Sequence, residues 1–268
     1  MPKYKLTLSY KGTRYCGWQV QPNGISIQEV VQGHLSQILQ EPIAVKASGR
    51  TDAGVHALAQ VAHFSTQNSL PLEKILQGLR SMLPDDISAL SLEVVADSFD
   101  AQTSAKKKTY VYLVNNSSVR NPFLMDYAWH VYPPLNLPAM EACLKLIIGE
   151  HDFTSFTASD AVTKTFVRTI YEASCDPLSL RGPKGAVAIS PREIALAGWP
   201  RNDNLILFSF TGSGFLKHMV RNLVGTIVNV GEGKISIQEF QSILASKDRR
   251  NAGINAPPQG LFLMNVEY

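Results

Sequence analysis

The chain has 268 residues, of which 45% are hydrophobic, so it can build a full core as one large domain or two modest ones. Its 25 Lys and Arg exceed its 22 Asp and Glu by three charges, which permits a polyanionic partner without requiring one. The three distant cysteines predict neither a disulfide framework nor a thiolate metal site, and no apolar run approaches the ~20 residues of a membrane helix. We therefore expect a cytoplasmic protein.

The first hundred residues predict a split β-α-β arrangement. Ser26 followed by Glu29 fits a capping box, so a helix begins there and continues through Gln40. The remaining elements follow from apolar periodicity and turn residues. The predicted strands cover 3–10, 43–48, 59–65 and 87–95, and a second helix covers 72–82.

The second part of the chain predicts another round of the same architecture. Local charge rises and apolar periodicity stops near 102–108, so we place a domain boundary there, between 1–105 and 106–268. Gly and Pro interrupt the pattern over 178–201, which predicts an insertion loop. Strands are expected at 109–114, 167–175, 204–211 and the terminal LFLMNVEY, and helices at 138–148, 215–230 and after the capping box Ser236 to Glu239.

The densest chemical pattern is Ser48 to Ala57, where small residues surround Arg50, Asp52 and His56 in one short loop. A loop of this kind between strands can project a carboxylate into a cleft. The alternative is an ordinary tight turn, because Asp beside Gly is common turn chemistry. Spacing alone does not separate the two interpretations.

Two further segments combine aromatic and basic residues. Tyr110 and Tyr112 share one face of a predicted strand that follows Lys106 to Lys108, a combination suited to base stacking or to cross-strand packing. After the glycines near 212, Lys217 and Arg221 lie four residues apart on a predicted helix. That face ordinarily meets solvent, but an Arg beside an apolar stripe can instead reach a buried carboxylate and keep it ionised.

Taken together, these segments resemble the tRNA pseudouridine synthase A family over nearly the whole chain. The resemblance rests on four ordered matches, each quoted from this sequence. They are Tyr10-Lys11-Gly12 with Tyr15 to Gln21, Gly49 to Ala57 with Gln60 and His63-Phe64, Lys107 to Tyr112, and Phe215 to Gly225 with Ala256 to Leu261.

The resemblance implies an α+β fold of two pseudo-symmetric ferredoxin-like or RNP-like halves, an extended antiparallel sheet with flanking helices, and a central basic cleft. It also implies a homodimer that accepts the anticodon stem-loop of tRNA and modifies uridines at positions 38, 39 and/or 40. Asp52 matches the catalytic aspartate, Tyr110 the active-site tyrosine and Arg221 the salt-bridge partner of the aspartate. We assign RNA contacts to Arg50, His56, Lys107, Lys108 and Lys217.

The implied reaction gains and loses no atom, so we expect neither a metal nor an organic cofactor. Asp52 can attack C1′ of the sugar or remove the C2′ proton, and both routes remain open. Two other functions compete with this one. A non-catalytic tRNA-binding protein can share the scaffold, and a carboxylate-dependent hydrolase can cleave the same bond, although such enzymes usually use two carboxylates.

Overall fold

A computed structural model describes residues 1–178 and 204–268. The insertion loop predicted for 178–201 lies almost entirely outside these described residues. The chain divides into two compact units. Unit 1 comprises Met1–Lys108 and Phe262–Tyr268, and unit 2 comprises Thr109–Leu261.

Unit 1 is a sheet with two helices. Its strand order is β4-β1-β3-β10, and β2 also pairs with β3. Strand β1 is antiparallel to both β3 and β4, and every second residue of β1 is buried, as expected for a strand with one face in the core. The elements are β1 (Lys3–Tyr10), α1 (Ile27–Leu39), β2 (Lys46–Ala47), β3 (His56–Ser65), α2 (Leu72–Met82), β4 (Ile87–Val95) and β10 (Leu261–Glu267).

The helices of unit 1 begin where the sequence indicates. The Ser26 side chain accepts from the Glu29 N–H at 3.2 Å and the Glu29 carboxylate accepts from the Ser26 N–H, so the predicted capping box is confirmed. Every fourth residue of α1 from Ile27 to Leu39 is buried, which places one apolar stripe in the core.

The described part of unit 2 combines β-strands with three α-helices. Its strand order is β5-β9-β8-β7, and β6 pairs in parallel with β5. The capping box at Ser236 and Glu239 is confirmed. The elements are β5 (Lys107–Asn115), β6 (Trp129–His130), α3 (Leu137–Leu146), β7 (Gly149–Asp152), β8 (Val167–Pro177), β9 (Leu205–Gly212), α4 (Met219–Gly231) and α5 (Ile237–Ser246).

The predicted α+β class is confirmed, with mostly antiparallel strand pairs. The terminal strand, which was predicted to supply the sheet of the second half, has a partner that the sequence did not indicate. Phe262 and Leu263 pair in parallel with His56 and Ala57 of β3. Local alternation identifies a strand but not its partner, because pairing depends on residues far away in the chain. No helix in the described ranges has the length and apolarity needed to cross a bilayer.

Candidate active site

The loop that carries Asp52 is fixed on its strand side by Gln60. Gln60 lies in β3, is fully buried, and donates from Nε2 to the Gly49 carbonyl at 3.0 Å. Its Oε1 accepts from the Ser48 hydroxyl at 2.8 Å, and the Ser48 N–H donates to the Val61 carbonyl at 2.7 Å. These bonds fix the backbone just before Asp52, since a buried polar group left without a partner would cost about 1–3 kcal/mol.

The other side of the loop rests on the segment that follows β1. The Trp18 N–H donates to the Thr51 carbonyl at 3.0 Å, and the Thr51 and Tyr10 hydroxyls lie 2.8 Å apart. Gly17 has a φ of +102°, and a Cβ at this position would lie 2.6 Å from the Thr51 carbonyl oxygen. This close approach and the left-handed backbone explain why glycine follows Cys16.

Asp52 itself is half-buried at the turn of this loop, where its backbone carbonyl accepts from the Val55 N–H at 3.1 Å. Gly54, with a φ of +79°, completes the turn. From the sequence, a tight turn and a projecting carboxylate were alternative interpretations of this loop. In the structure both are present, because a tight turn carries the Asp52 carboxylate. These backbone hydrogen bonds therefore fix the position from which the Asp52 side chain projects.

Arg50 and His56 flank Asp52 in different surroundings. Arg50 is exposed, and its Nε donates to the Gln19 side chain at 3.1 Å. His56 is only 2% exposed, and its Nδ1 accepts the Gly12 N–H at 3.0 Å while its ring stacks on Phe262 at 4.7 Å. His56 thus supports the end of the loop from inside unit 1.

The three lysines at the start of β5 also differ from one another. Lys106 and Lys107 are exposed. Lys108 is half-buried, and its Nζ donates to the Ser48 carbonyl at 2.5 Å. Lys108 therefore brings a positive charge to the start of the Asp52 loop, within the same unit.

In unit 2, Tyr110 lies in β5 with 8% of its surface exposed. Its ring packs edge-to-face on Phe215, with centroids 5.2 Å apart and an interplanar angle of 80°. This contact fixes the orientation of the phenol, since an edge-to-face pair is a favoured aromatic geometry. Phe215 belongs to one of the segments that carry the family resemblance.

Arg221 lies in the first turn of α4 and is 9% exposed. Its Nε donates to the Ala256 carbonyl at 2.7 Å, and the Ala256 N–H donates back to the Arg221 carbonyl at 3.2 Å. The next residue, Pro257, accepts from the Tyr112 hydroxyl at 2.7 Å. Two segments far apart in the chain are thereby joined around one buried guanidinium.

The start of this helix corrects the sequence prediction. Helix α4 begins at Met219 rather than near 215, so Lys217 and Arg221 do not share a helical face as predicted. His218 at the N-cap has a φ of +64°, a left-handed conformation that sequence periodicity does not reveal. Lys217 is exposed and its Nζ lies 2.6 Å from Asp160 Oδ2.

Two polar residues, Gln60 and Asn222, have clear structural roles that the sequence did not predict. Gln60 lies in β3 between the apolar runs Ala57-Leu58-Ala59 and Val61-Ala62, and this polar interruption is the signal that was available. Asn222 is 1% exposed and donates to the Phe156 carbonyl at 2.8 Å, while Arg249 donates to its Oδ1 at 3.0 Å. A helical wheel does not separate Asn222 from solvent-facing polar residues, because its partners lie in other segments.

Burial also changes the acidity of the groups around the loop. It raises the pKa of Tyr10 to about 12, against the opposing effect of hydrogen bonds from Thr51 and Gln60. Tyr10 therefore stays a neutral hydrogen-bonding group at every physiological pH. Across residues 1–178 and 204–268, no group of three His, Cys, Asp or Glu side chains is placed to hold a metal ion.

Comparison with known proteins specifies the class to which this chain belongs. A family model described as tRNA pseudouridine synthase matches residues 7–102 and 143–268. The matched ranges include Asp52 and Arg221, whereas Tyr110 lies between them.

Full-length relatives agree with this match. The tRNA pseudouridine synthases A of Myxococcus xanthus, Geotalea daltonii and Geobacter sulfurreducens are 41%, 40% and 39% identical to the whole chain. The alignments cover 92%, 100% and 100% of those proteins. The chain therefore belongs to the tRNA pseudouridine synthase family, and it is an isomerase that acts on tRNA. Family membership favours this activity over the hydrolase and the non-catalytic protein.

Proposed function

We propose that this enzyme converts uridine to pseudouridine at positions 38, 39 and/or 40 in the anticodon stem-loop of tRNA, with Asp52 as the catalytic residue. The enzyme works as a homodimer in the cytoplasm. The observation that carries the proposal is the Asp52 loop, whose backbone is fixed by Gln60 on one side and Trp18 on the other. A rigid loop of this kind keeps a carboxylate in place for a base that must leave the RNA stack.

The proposed reaction breaks the bond between N1 and C1′, turns the uracil, and joins C5 to C1′. The proton lost from C5 balances the proton gained at N1, so the product has the mass of the substrate. Asp52 acts either by attacking C1′ or by removing the C2′ proton, and it must be ionised for both routes.

Three other residues complete the proposed site. Arg221 is the proposed salt-bridge partner of Asp52, a role that suits a guanidinium with only 9% of its surface exposed. Tyr110 stacks on the uracil and assists loss of the C5 proton. Arg50, which is exposed beside Asp52, fills the space left by the displaced base.

The proposed RNA contacts are those cations that have exposed surface. Lys106, Lys107 and Arg50 meet this condition. Lys108 and Lys217 contribute charge while engaged with Ser48 and Asp160, so a phosphate would compete with those partners. His56 is buried, and we propose for it a role in supporting the loop rather than in touching RNA.

Asp52→Asn tests the catalytic assignment. The variant keeps the size of the side chain but removes its charge, so we expect product formation to fall by at least about 1,000-fold while tRNA affinity stays within about threefold. Asp85→Asn is the matched control, since Asp85 is an exposed carboxylate in unit 1. Single-turnover assays and filter binding measure the two quantities. Unchanged turnover in Asp52→Asn would falsify the assignment.

A second experiment tests the proposed positions. Anticodon-arm transcripts in which only one of positions 38, 39 and 40 carries uridine report which nucleotide is modified. We expect product from at least one of them and none when all three positions lack uridine. Product at an unrelated site would show that the enzyme recognises a different part of tRNA.

A further inference from the structure

A cavity of about 210 Å³ lies wholly inside unit 2, beside the C-terminal end of β5. Its volume is below the ~300–1,000 Å³ of pockets for drug-sized ligands, so it suits one planar ring better than an extended molecule. The lining includes Asn115, Arg120, Asn121, Met125, Trp129 and His130.

His130 contributes a hydrogen-bonding atom that has no partner. Its Nε2 lies 2.8 Å from the Ser117 carbonyl oxygen, so Nε2 carries the proton and Nδ1 is left as an acceptor. Nδ1 is buried and makes no hydrogen bond in the structure. The Tyr132 ring packs on the His130 ring, with centroids 4.1 Å apart, and holds its orientation. Buried polar atoms are normally hydrogen-bonded, so an acceptor left without a partner on a cavity-lining residue is one that a bound ligand can satisfy.

The surroundings of the cavity indicate the chemistry of the ligand. Arg120 is exposed, and no carboxylate lies among the lining residues, which suits an anion. Trp129 is half-buried and packs edge-on to Tyr112, and Met125 is 53% exposed at the cavity. A cation beside an aromatic ring and a buried acceptor is the combination used to bind a nucleotide through phosphate, base face and base edge.

We propose that this cavity is a subsite for one unpaired nucleotide of the RNA substrate, distinct from the uridine that is modified. The nucleobase rests against Trp129 and Met125, an N–H of the base donates to His130 Nδ1, and the phosphate pairs with Arg120. The inference rests on the proposed function for the role of Tyr110. Tyr110 and Asn115 lie five residues apart in β5, or ~17 Å, which separates the subsite from the reacting base.

Two substitutions of His130 separate binding from a purely structural role. In His130→Gln the terminal amide can still donate to the Ser117 carbonyl, but the acceptor Nδ1 is lost. In His130→Asn an oxygen remains near the position of Nδ1, but the contact with Ser117 is lost. We expect His130→Gln to raise both the KM and the Kd for tRNA about fivefold without changing kcat, and His130→Asn to stay within about twofold.

The opposite ranking would overturn the proposal, because a histidine that only anchors Ser117 is replaced better by Gln than by Asn. A change in kcat at constant KM would overturn it as well, since the subsite is remote from the reaction. The Kd is measured independently of turnover. The subsite proposal can therefore fail while the catalytic proposal for Asp52 is supported, and the catalytic proposal can fail while the subsite proposal is supported.

Arg120→Gln tests the phosphate contact. We expect weaker tRNA binding and a slope of log Kd against log salt that is smaller by about one. Lys145→Gln is the matched control, since Lys145 is an exposed cation of the same unit outside the cavity lining. Equal salt slopes for Arg120→Gln and wild type would overturn the contact. A change in molecular mass in solution would assign this surface to protein association instead.

Discussion

The Asp52 loop and the Arg221 helix hold their functional side chains in different ways. The loop is built from backbone hydrogen bonds and glycines, with an exposed Arg50 and a half-buried Asp52. In α4 every residue except Asn229 is buried, including Arg221 and Asn222. The loop is thus held by hydrogen bonds to its backbone, several of them from residues distant in the chain, whereas the helix is held by packing of its buried side chains.

This difference predicts where the molecule tolerates change. Substitutions in the loop act mainly through backbone conformation, and those in the helix act through packing of a tightly filled core. The following predictions are ordered from the largest expected effect to the smallest.

Gly225→Ala is expected to cause the largest loss of stability. A Cβ on Gly225 of α4 would lie 1.9 Å from the Ile254 carbonyl oxygen, so the segment that reaches Ala256 must move. We expect a loss of about 3 kcal/mol in the free energy of unfolding, because overpacking against backbone cannot relax by rotamer change. Denaturant unfolding measures it, with Gly214→Ala as a control that meets nothing within 4 Å. Equal stability of the two variants would contradict the packing argument.

Gly17→Ala probes the loop in the same way. The left-handed φ of Gly17 and the 2.6 Å approach to the Thr51 carbonyl should make the variant less stable by about 2 kcal/mol. Gly33→Ala, inside α1 where a Cβ meets nothing within 4 Å, should instead stabilise by about 0.5–1 kcal/mol. The prediction is contradicted if Gly17→Ala and Gly33→Ala change the free energy of unfolding in the same direction.

Tyr10→Phe tests the buried hydrogen bonds beneath the loop. Removing the hydroxyl 2.8 Å from Thr51 should cost about 1 kcal/mol at neutral pH. Because burial raises the pKa of Tyr10 to about 12, the folded state keeps this proton after the unfolded chain has lost it. Tyr10 therefore causes stability to fall between pH 10 and pH 12. The difference in free energy of unfolding between wild type and Tyr10→Phe should therefore narrow as the pH rises from 10. A difference that stays constant would contradict the raised pKa of Tyr10.

Lys217→Gln should have the smallest effect on stability. Its partner Asp160 is 70% exposed, and such surface pairs contribute less than about 0.5–1 kcal/mol. If Lys217 also contacts a phosphate, tRNA binding should weaken and its salt slope should fall by about one. Thermal unfolding and filter binding at several salt concentrations measure the two effects. A loss of stability above 2 kcal/mol would show that Lys217 has a packing role.

The sequence prediction was accurate where neighbouring residues decide the structure. Strand β1, helices α1 and α2, and both capping boxes were predicted because a few neighbouring residues decide them. The start of α4 was predicted too early. Its N-cap, His218, adopts a left-handed φ that only surrounding contacts can impose.

The sequence by itself determined the element types, the α+β class, the loop motif around Asp52 and the family resemblance. All of these depend on the order and spacing of residues that are neighbours in the chain. Tertiary structure alone decided that β10 pairs with β3, that Gln60 supports the Asp52 loop, and that Arg221 is buried against Ala256. The physical reason is that pairing and burial depend on free energies summed over residues distant in the chain, which no local pattern contains.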